Sequence, residues 1–139
     1  TMPLTTRNIG GVITDTDRIY VTHYPVYDYS TQSNRGGYSE PRLVSPGGLD
    51  AIGGIRAGRL EIVSQLATNH KWPLGASGTK IAMLGERGMT IYDTTTRTPR
   101  VVAEASLRGY GYSSDVLLEG STAYCAVQEW GIQTVNVAR

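Results

Sequence analysis

The feature that most constrains the fold of this 139-residue chain is a self-similarity in its second half. When the segment Thr79 to Asp93 (TKIAMLGERGMTIYD) is shifted by 43 positions, it lies over Thr122 to Asn136 (TAYCAVQEWGIQTVN). Two apolar runs and the Glu-x-Gly turn between them coincide without a gap. A chain that repeats a unit of this length builds one small motif several times, because each copy buries its apolar surface against its neighbours.

A third copy of the unit lies nearer the start of the sequence. Shifting Val12 to Val21 by 104 positions places it on Val116 to Cys125, so that Tyr20 meets Tyr124. The run Val26 to Asp28 follows after a short turn, and we expect it to form the third strand of this copy.

Each copy has the same plan: a short apolar strand, a polar turn, a second strand, a tight turn and a third strand that ends near Asp or Asn. A fourth apolar run follows in two copies, introduced by Pro41 and by Pro99, and proline suits an edge strand. Four short antiparallel strands in a unit of about 40 to 45 residues are typical of one blade of a β-propeller. The sequence therefore predicts an all-β chain.

The same residues resemble a known family. The segment Thr122 to Ala138 (TAYCAVQEWGIQTVNVA) is similar to the bacterial β-propeller repeats named for an LVIVD strand, which combine an AYVA-like strand, a turn ending in Gly-Ile or Gly-Leu and a VIDVS-like strand. Thr79 to Thr94 has the same pattern, and Arg18 to Ser30 has a shortened version. The resemblance implies a propeller fold and, together with the low charge, an extracytoplasmic protein, either periplasmic or secreted.

We expect one partial propeller with about three four-stranded blades. Blade 1 covers about 9–45, an irregular insertion and blade 2 cover about 46–104, and blade 3 covers about 105–139. Within the irregular part, Arg59 to Ala67 fits either a strand or a short amphipathic helix, and the all-β context favours a strand. The last blade lacks its outer strand, because no fourth apolar run follows Thr134 to Val137.

Three blades do not close a ring, since closed propellers have about four to eight. An open stack would expose apolar sheet faces and unpaired strand edges, which a partner has to cover. The chain is therefore expected to be the C-terminal part of a longer propeller completed by another polypeptide, or half of a six-bladed ring made by two copies.

Charge and composition exclude several classes of function. The 13 Lys and Arg residues against 12 Asp and Glu give a net charge of +1, which does not suit nucleic acid or an anionic membrane surface. No run approaches the ~18 apolar residues of a membrane helix. The single Cys125 excludes an internal disulfide framework, and with only His23 and His70 beside it a closed zinc site cannot be assembled. No phosphate loop or other cofactor motif is present, so we expect no metal and no cofactor.

The turns that join second to third strands, and successive blades, meet at one end of a propeller near its axis. The aromatic residues of these turns are Tyr24, Tyr110, Tyr112 and Trp130. Beside carboxylates and an arginine, such rings can bind a saccharide or another polar small ligand. The alternative is that they pack between blades while the carboxylates are solvated.

The same turns contain the residues suited to acid and base chemistry, His23, Glu86, Arg87 and Glu129. The sequence favours a binding and assembly module, with two alternatives: part of a hydrolase or lyase that uses these four residues at the axial face, or a structural subunit. Asp28 and Asp93 are expected to be turn residues that accept hydrogen bonds from nearby backbone N–H groups.

Overall fold

In a computed structural model, the described residues, 9–30, 40–68, 72–85, 88–107, 113–127 and 131–137, form β-strands and turns without a helix. The strands are β1 Ile9–Asp15, β2 Arg18–His23, β3 Val26–Asp28, β4 Arg42–Ser45, β5 Gly48–Gly53, β6 Glu61–Ala67, β7 Trp72–Ser77, β8 Lys80–Gly85, β9 Gly88–Asp93, β10 Arg100–Ala105, β11 Ser113–Glu119, β12 Thr122–Val127 and β13 Ile132–Asn136. The prediction of an all-β chain is confirmed.

The strands form three antiparallel sheets and one separate hairpin. The first sheet has the order β1-β2-β5-β6, the second β7-β8-β9-β10 and the third β11-β12-β13. Strands β3 and β4 pair only with each other among the described residues. The segment for which a strand and a helix were both considered contains β6, so the strand is confirmed.

The third strand of the first sheet differs from the one predicted. Val26–Asp28 was expected there, but the sheet uses Gly48–Gly53, and the β3–β4 hairpin is inserted between the second and third strands. The reason is the greater length and burial of β5, which pairs with β2 from Ile19↔Ile52 to His23↔Gly48 and is buried along its whole length. The three-residue strand β3 would form fewer hydrogen bonds with β2 and bury less apolar surface than β5 does.

The prediction that Thr79 to Asp93 and Thr122 to Asn136 align with a constant shift of 43 is also wrong in part. In the first strand of this segment the shift is 42. Asp93 pairs with Lys80, and Asn136 pairs with Thr122, so Lys80 corresponds to a residue 42 positions later. Four residues separate Leu84 from its partner Met89, and five separate Ala126 from its partner Ile132, so one extra residue before β13 restores the shift of 43. A one-residue shift exchanges the two faces of a strand, which explains why the prediction wrongly matched a buried isoleucine of β8 with a half-exposed tyrosine of β12.

The sheets stack face to face in chain order, with the second sheet in the middle. One apolar cluster joins the first and second sheets, and its buried members are Tyr20, Leu49, Ala51, Ile81, Met83 and Tyr92. A second cluster joins the second and third sheets, and it includes Ala82, Met89 and Ile91 on one side and Val116, Ala123 and Cys125 on the other. We call the face that points to the next sheet in the chain the leading face, and the opposite one the trailing face. On the third sheet, the leading face is the one that points away from the second sheet.

The first strands of the three sheets lie side by side, since β7 contacts both β1 and β11. Small residues permit this approach. A Cβ atom at Gly11 would lie 2.9 Å from Pro73 Cγ, and one at Gly75 would overlap the carbonyl oxygen of Val116 and lie 3.0 Å from its carbonyl carbon. The backbones of β7 and β11 therefore meet with no room for a side chain.

We expect Gly75→Ala to lower the free energy of unfolding by about 1–3 kcal/mol, because the added methyl group meets rigid backbone atoms of β11. Gly10→Ala is the matched control on β1. Its Cβ would meet only side-chain atoms, Thr22 Oγ1 and Tyr24 Cε2, both at 3.3 Å, so the loss should stay below about 1 kcal/mol. Urea unfolding measures the free energy of unfolding of both variants. Equal losses for Gly75→Ala and Gly10→Ala would contradict the close backbone contact between β7 and β11.

Candidate functional site

Six of the eight predicted site residues lie outside the described part of the chain: Glu86, Arg87, Tyr110, Tyr112, Glu129 and Trp130. Of the eight candidates, the structure describes His23 and Tyr24, which are consecutive at the end of β2. Whether the eight residues form one site therefore stays a prediction.

His23 lies next to a carboxylate that the sequence analysis did not select. Its Nε2 atom is 3.7 Å from Asp50 Oδ2. The register brings them together, because Val21 pairs with Asp50 and His23 with Gly48, so all four residues share the trailing face of the first sheet. A Cβ atom at Gly48 would overlap the carbonyl oxygen of Leu66 and lie 3.0 Å from His23 Cε1, so the glycine leaves room for both the backbone of β6 and the imidazole ring.

A third polar residue completes this cluster on the neighbouring strand. Gln65 on β6 pairs with Asp50, and its Nε2 donates a hydrogen bond of 3.0 Å to Asp50 Oδ1. Only 9% of His23 and 3% of Asp50 are exposed. The carboxylate can orient the imidazole ring, but a substrate would have to displace covering residues to reach it.

Tyr24 lies beside the first strand, with its ring against the backbone of Gly10. The side chain is partly buried. One side of the ring therefore takes part in packing between β1 and the end of β2.

The predicted turn roles of the two aspartates are confirmed. Asp28 Oδ1 accepts a hydrogen bond of 2.8 Å from the N–H of Ser30, and Asp93 Oδ1 accepts one of 2.9 Å from that of Thr95. Hydrogen bonds from Ser30 lower the pKa of Asp28. Burial alone would raise the pKa of Asp93, but hydrogen bonds from Thr95 and neighbouring groups outweigh it and the net direction is down.

The clearest polar contact between two sheets lies at the opposite end of the strands from His23. Gly78, in the turn between β7 and β8, is held by two residues of the first sheet. Its N–H donates to Asp15 Oδ2 at 2.5 Å, and its carbonyl oxygen accepts a hydrogen bond of 2.7 Å from the Tyr20 hydroxyl. We call Asp15 and Tyr20 the turn clamp. Because the clamp binds backbone groups of Gly78, the sequence does not indicate which residue Asp15 and Tyr20 contact.

Other polar contacts strengthen the same interface. Arg18 Nη1 donates to the carbonyl oxygen of Thr94 at 3.1 Å. Ser64 Oγ donates to the carbonyl oxygen of Thr96 at 2.6 Å, and Arg97 Nη1 donates to that of Ile62 at 3.0 Å. The connection between β9 and β10 is thus attached to both the second and the last strand of the first sheet.

The third sheet has one buried face and one exposed face. Val116, Ala123 and Cys125 point to the second sheet and are buried. Burial raises the pKa of the Cys125 thiol, which keeps it protonated and unreactive at neutral pH. On the leading face, Leu117 is 61% exposed, Tyr124 39% and Ile132 73%, an unusual concentration of large apolar side chains.

Comparison with known proteins gives no relative: no family model, no curated protein and no solved structure matches this chain. Within the described ranges, no helix is long and apolar enough to cross a membrane. The same residues contain no group of three or more His, Cys, Asp or Glu side chains that could hold a metal ion.

We expect Tyr20→Phe to lower the free energy of unfolding by about 1–2 kcal/mol at neutral pH, because the hydrogen bond from the buried Tyr20 to the carbonyl oxygen of Gly78 is lost. Burial is the main factor that raises the pKa of Tyr20 above its ordinary value of 10.0. The unfolded chain then releases this proton at lower pH than the folded chain, so wild type loses the stabilisation as pH rises above about 10.

The measurement is urea unfolding of wild type and Tyr20→Phe between pH 7 and 11, with Tyr29→Phe as the exposed control. The difference between wild type and Tyr20→Phe should shrink above pH 10. A difference that stays constant across this range would show that the Tyr20 hydroxyl is not buried against Gly78.

Proposed function

We propose that this chain is a partial β-propeller that acts as a binding and assembly module, with its ring completed by a second copy or by another chain. Three features support the propeller arrangement: the sheets are small and antiparallel, they stack in chain order, and their first strands lie side by side. In a propeller the first strand of each blade lies nearest the axis, where neighbouring blades are closest. Gly11 and Gly75 occur where such an arrangement needs small residues.

The observation that carries the proposal is the contrast between corresponding leading faces. The strand registers make Tyr20, Ala82 and Tyr124 equivalent positions of the three sheets. Tyr20 and Ala82 are completely buried by the following sheet, whereas Tyr124 is exposed. The third sheet therefore presents to solvent the surface that the first two sheets use to bind their successors.

The exposed surface is large enough to drive association. Complete burial of one Leu, Ile or aromatic side chain contributes about 1.5–3 kcal/mol. Leu117, Tyr124 and Ile132 are each more than one third exposed and lie on three adjacent strands of one face. If another sheet covered these three side chains, a substantial part of that free energy would stabilise the complex.

The outer edge of the third sheet supports the same proposal. Among the described residues, β13 pairs with β12 and with no further strand, whereas the first two sheets have four strands each. The outer strand of a sheet can pair with a further strand from another chain. A partner that covers the leading face is well placed to supply it.

We expect Leu117→Asp to weaken self-association or partner binding at least tenfold, because a carboxylate would be buried in an apolar interface. Val44→Asp is the matched control: Val44 is 62% exposed, on β4 of the separate hairpin. Sedimentation velocity from micromolar to millimolar concentration measures the affinity of self-association. Native mass spectrometry of the chain with its co-purifying polypeptides measures partner binding.

A wild-type chain that remains a monomer at millimolar concentration and purifies without a second polypeptide would disprove the assembly role. Equal effects of the two substitutions would show that association uses a surface other than the leading face of the third sheet.

A further inference from the structure

We infer that the outer edge of the third sheet accepts β3 of a second copy of this chain, so that β13 and β3 pair as antiparallel strands. The inference rests on the proposed assembly role and adds the strand that fills this edge. It depends on three features of the chain: two incomplete sheets, a difference between outer and inner strands, and a match between the side chains of β13 and β3.

The described part of the chain contains two incomplete sheets. The third sheet has three strands, and β3 and β4 form a hairpin of their own, whereas the first two sheets have four strands each. A two-stranded hairpin is marginally stable at best in water unless a further strand or another element packs against it. The separate hairpin is therefore suited to join the edge of another sheet.

The separate hairpin repeats the outer half of the second sheet. Strand β3 has the sequence VYD where β9 ends with IYD, and β4 has RLVS where β10 begins with RVVA. The pairing registers agree as well, and each outer strand has one extra residue at the same place, Val44 in β4 and Val102 in β10. In the second sheet, β9 also pairs with β8 on its other side, whereas β3 has no such neighbour among the described strands. Strand β3 is thus an inner strand that lacks one partner.

The burial of equivalent residues agrees with this assignment. Ile91 and Tyr92 of β9 are 0% and 4% exposed. Their equivalents in β3, Val26 and Tyr27, are only partly buried. Strand β3 thus retains surface that a further strand can cover.

The outer strands of this chain have features that discourage further pairing. Strands β6 and β10 each contain one extra residue that interrupts the ladder, and they begin with Glu61 and Arg100. Strand β4 has the same two features, in Val44 and Arg42. Bulges and charges of this kind protect the edge of a sheet. Strand β13 has neither: its residues, IQTVN, carry no charge and pair with β12 without a register shift. It therefore has the character of an inner strand.

The direction of the backbone groups of β13 follows from its pairing with β12. Val137, the residue after β13, donates its N–H to the carbonyl oxygen of Ser121 beside β12. Because the direction of these groups alternates along a strand, the N–H and C=O of Thr134 point away from β12.

The same alternation gives the direction of the backbone groups of β3. Thr94, the residue after β9, donates its N–H to the carbonyl oxygen of Thr79 beside β8. The N–H and C=O of Tyr92 therefore point to β8, and those of its equivalent Tyr27 point away from β4. Thr134 of one copy and Tyr27 of the other can thus form a hydrogen-bonded pair.

This register places apolar side chains opposite one another. Tyr29, the residue after β3, lies opposite Ile132, and these two side chains are 60% and 73% exposed. On the other face Val26 lies opposite Val135, and both are partly buried. Cross-strand pairs of aromatic and β-branched residues stabilise a sheet. A shift by one residue would exchange the faces of one strand and separate these pairs.

The arrangement of the sheets makes the partner a second copy. The hairpin follows β2 of the first sheet, the second sheet lies between the first and the third, and the structure does not pair β3 with β13. Each copy has one β3 and one β13, so two copies can exchange two equivalent contacts around a twofold axis. The joined sheet has the order β11-β12-β13-β3-β4, with the last two strands from the second copy. Strand β4 remains the outermost strand, so Val44 is not part of the contact.

The first test is Thr134→Pro, with Thr134→Val as the matched control. Proline is tolerated in an edge strand where its nitrogen points away from the ladder, so both variants should unfold at nearly the urea concentration of wild type. Proline removes the N–H that Tyr27 would accept and its ring obstructs the approaching strand. We expect the dissociation constant of the self-complex, from sedimentation equilibrium, to rise at least about tenfold for Thr134→Pro and to stay within about threefold of wild type for Thr134→Val.

A second measurement does not require Thr134→Pro to fold. Thr134→Cys and Tyr27→Cys chains, each also carrying Cys125→Ala, are mixed under mild oxidation and separated on a nonreducing gel. The Cα atoms of a hydrogen-bonded antiparallel pair lie about 5.5 Å apart, a distance that a disulfide spans. We expect disulfides between the two different variants to exceed those within either variant alone.

Association of wild type that Thr134→Pro leaves unchanged would overturn this inference while leaving the assembly role intact, since Leu117→Asp tests that role on a different surface. An excess of disulfides within the Thr134→Cys variant would also overturn it, because β13 would then pair with itself. A complex formed only with a different polypeptide has the same meaning. Absence of any association would overturn both proposals.

Discussion

Burial of both faces of a sheet by neighbouring sheets is the constraint on which this architecture depends. The second sheet meets it: β9 is buried at five consecutive positions and reads as a nearly continuous apolar run. The third sheet meets it on one face, and the burial of β13 alternates residue by residue. The burial patterns of β9 and β13 thus follow the number of sheets that cover them, whereas β5 is buried along its whole length with a described sheet on one side alone.

Apolar contact brings the sheets together but does not by itself fix their relative position, because dispersion and hydrophobic forces have little directionality. Direction comes from hydrogen bonds at the ends of the strands. Asp15 and Tyr20 hold the turn at Gly78, and Ser64 holds the connection after β9. These donors and acceptors meet backbone groups of turns, so the interface selects backbone conformation and tolerates changes in turn side chains.

Local signals predicted much of the fold. Apolar runs with turn residues between them located the strands, and the position of Asp93 at the end of a strand indicated its turn role. Strand partners were harder, because the choice between Val26–Asp28 and Gly48–Gly53 depends on burial by distant residues. The site prediction missed Asp50 for the same reason. Asp50 lies within an apolar run, which indicates a structural role, and only the pairing of β2 with β5 brings its side chain next to His23.

The inserted β3–β4 hairpin has a consequence for the order in which the molecule assembles itself. Two residues separate β8 from β9, whereas 24 separate β2 from β5. Closing the longer loop has a greater entropic cost, and contacts between distant residues form late in folding. The central sheet, made of successive local hairpins, is thus the natural nucleus. The first sheet gains its third strand afterwards, by docking onto a surface that already exists.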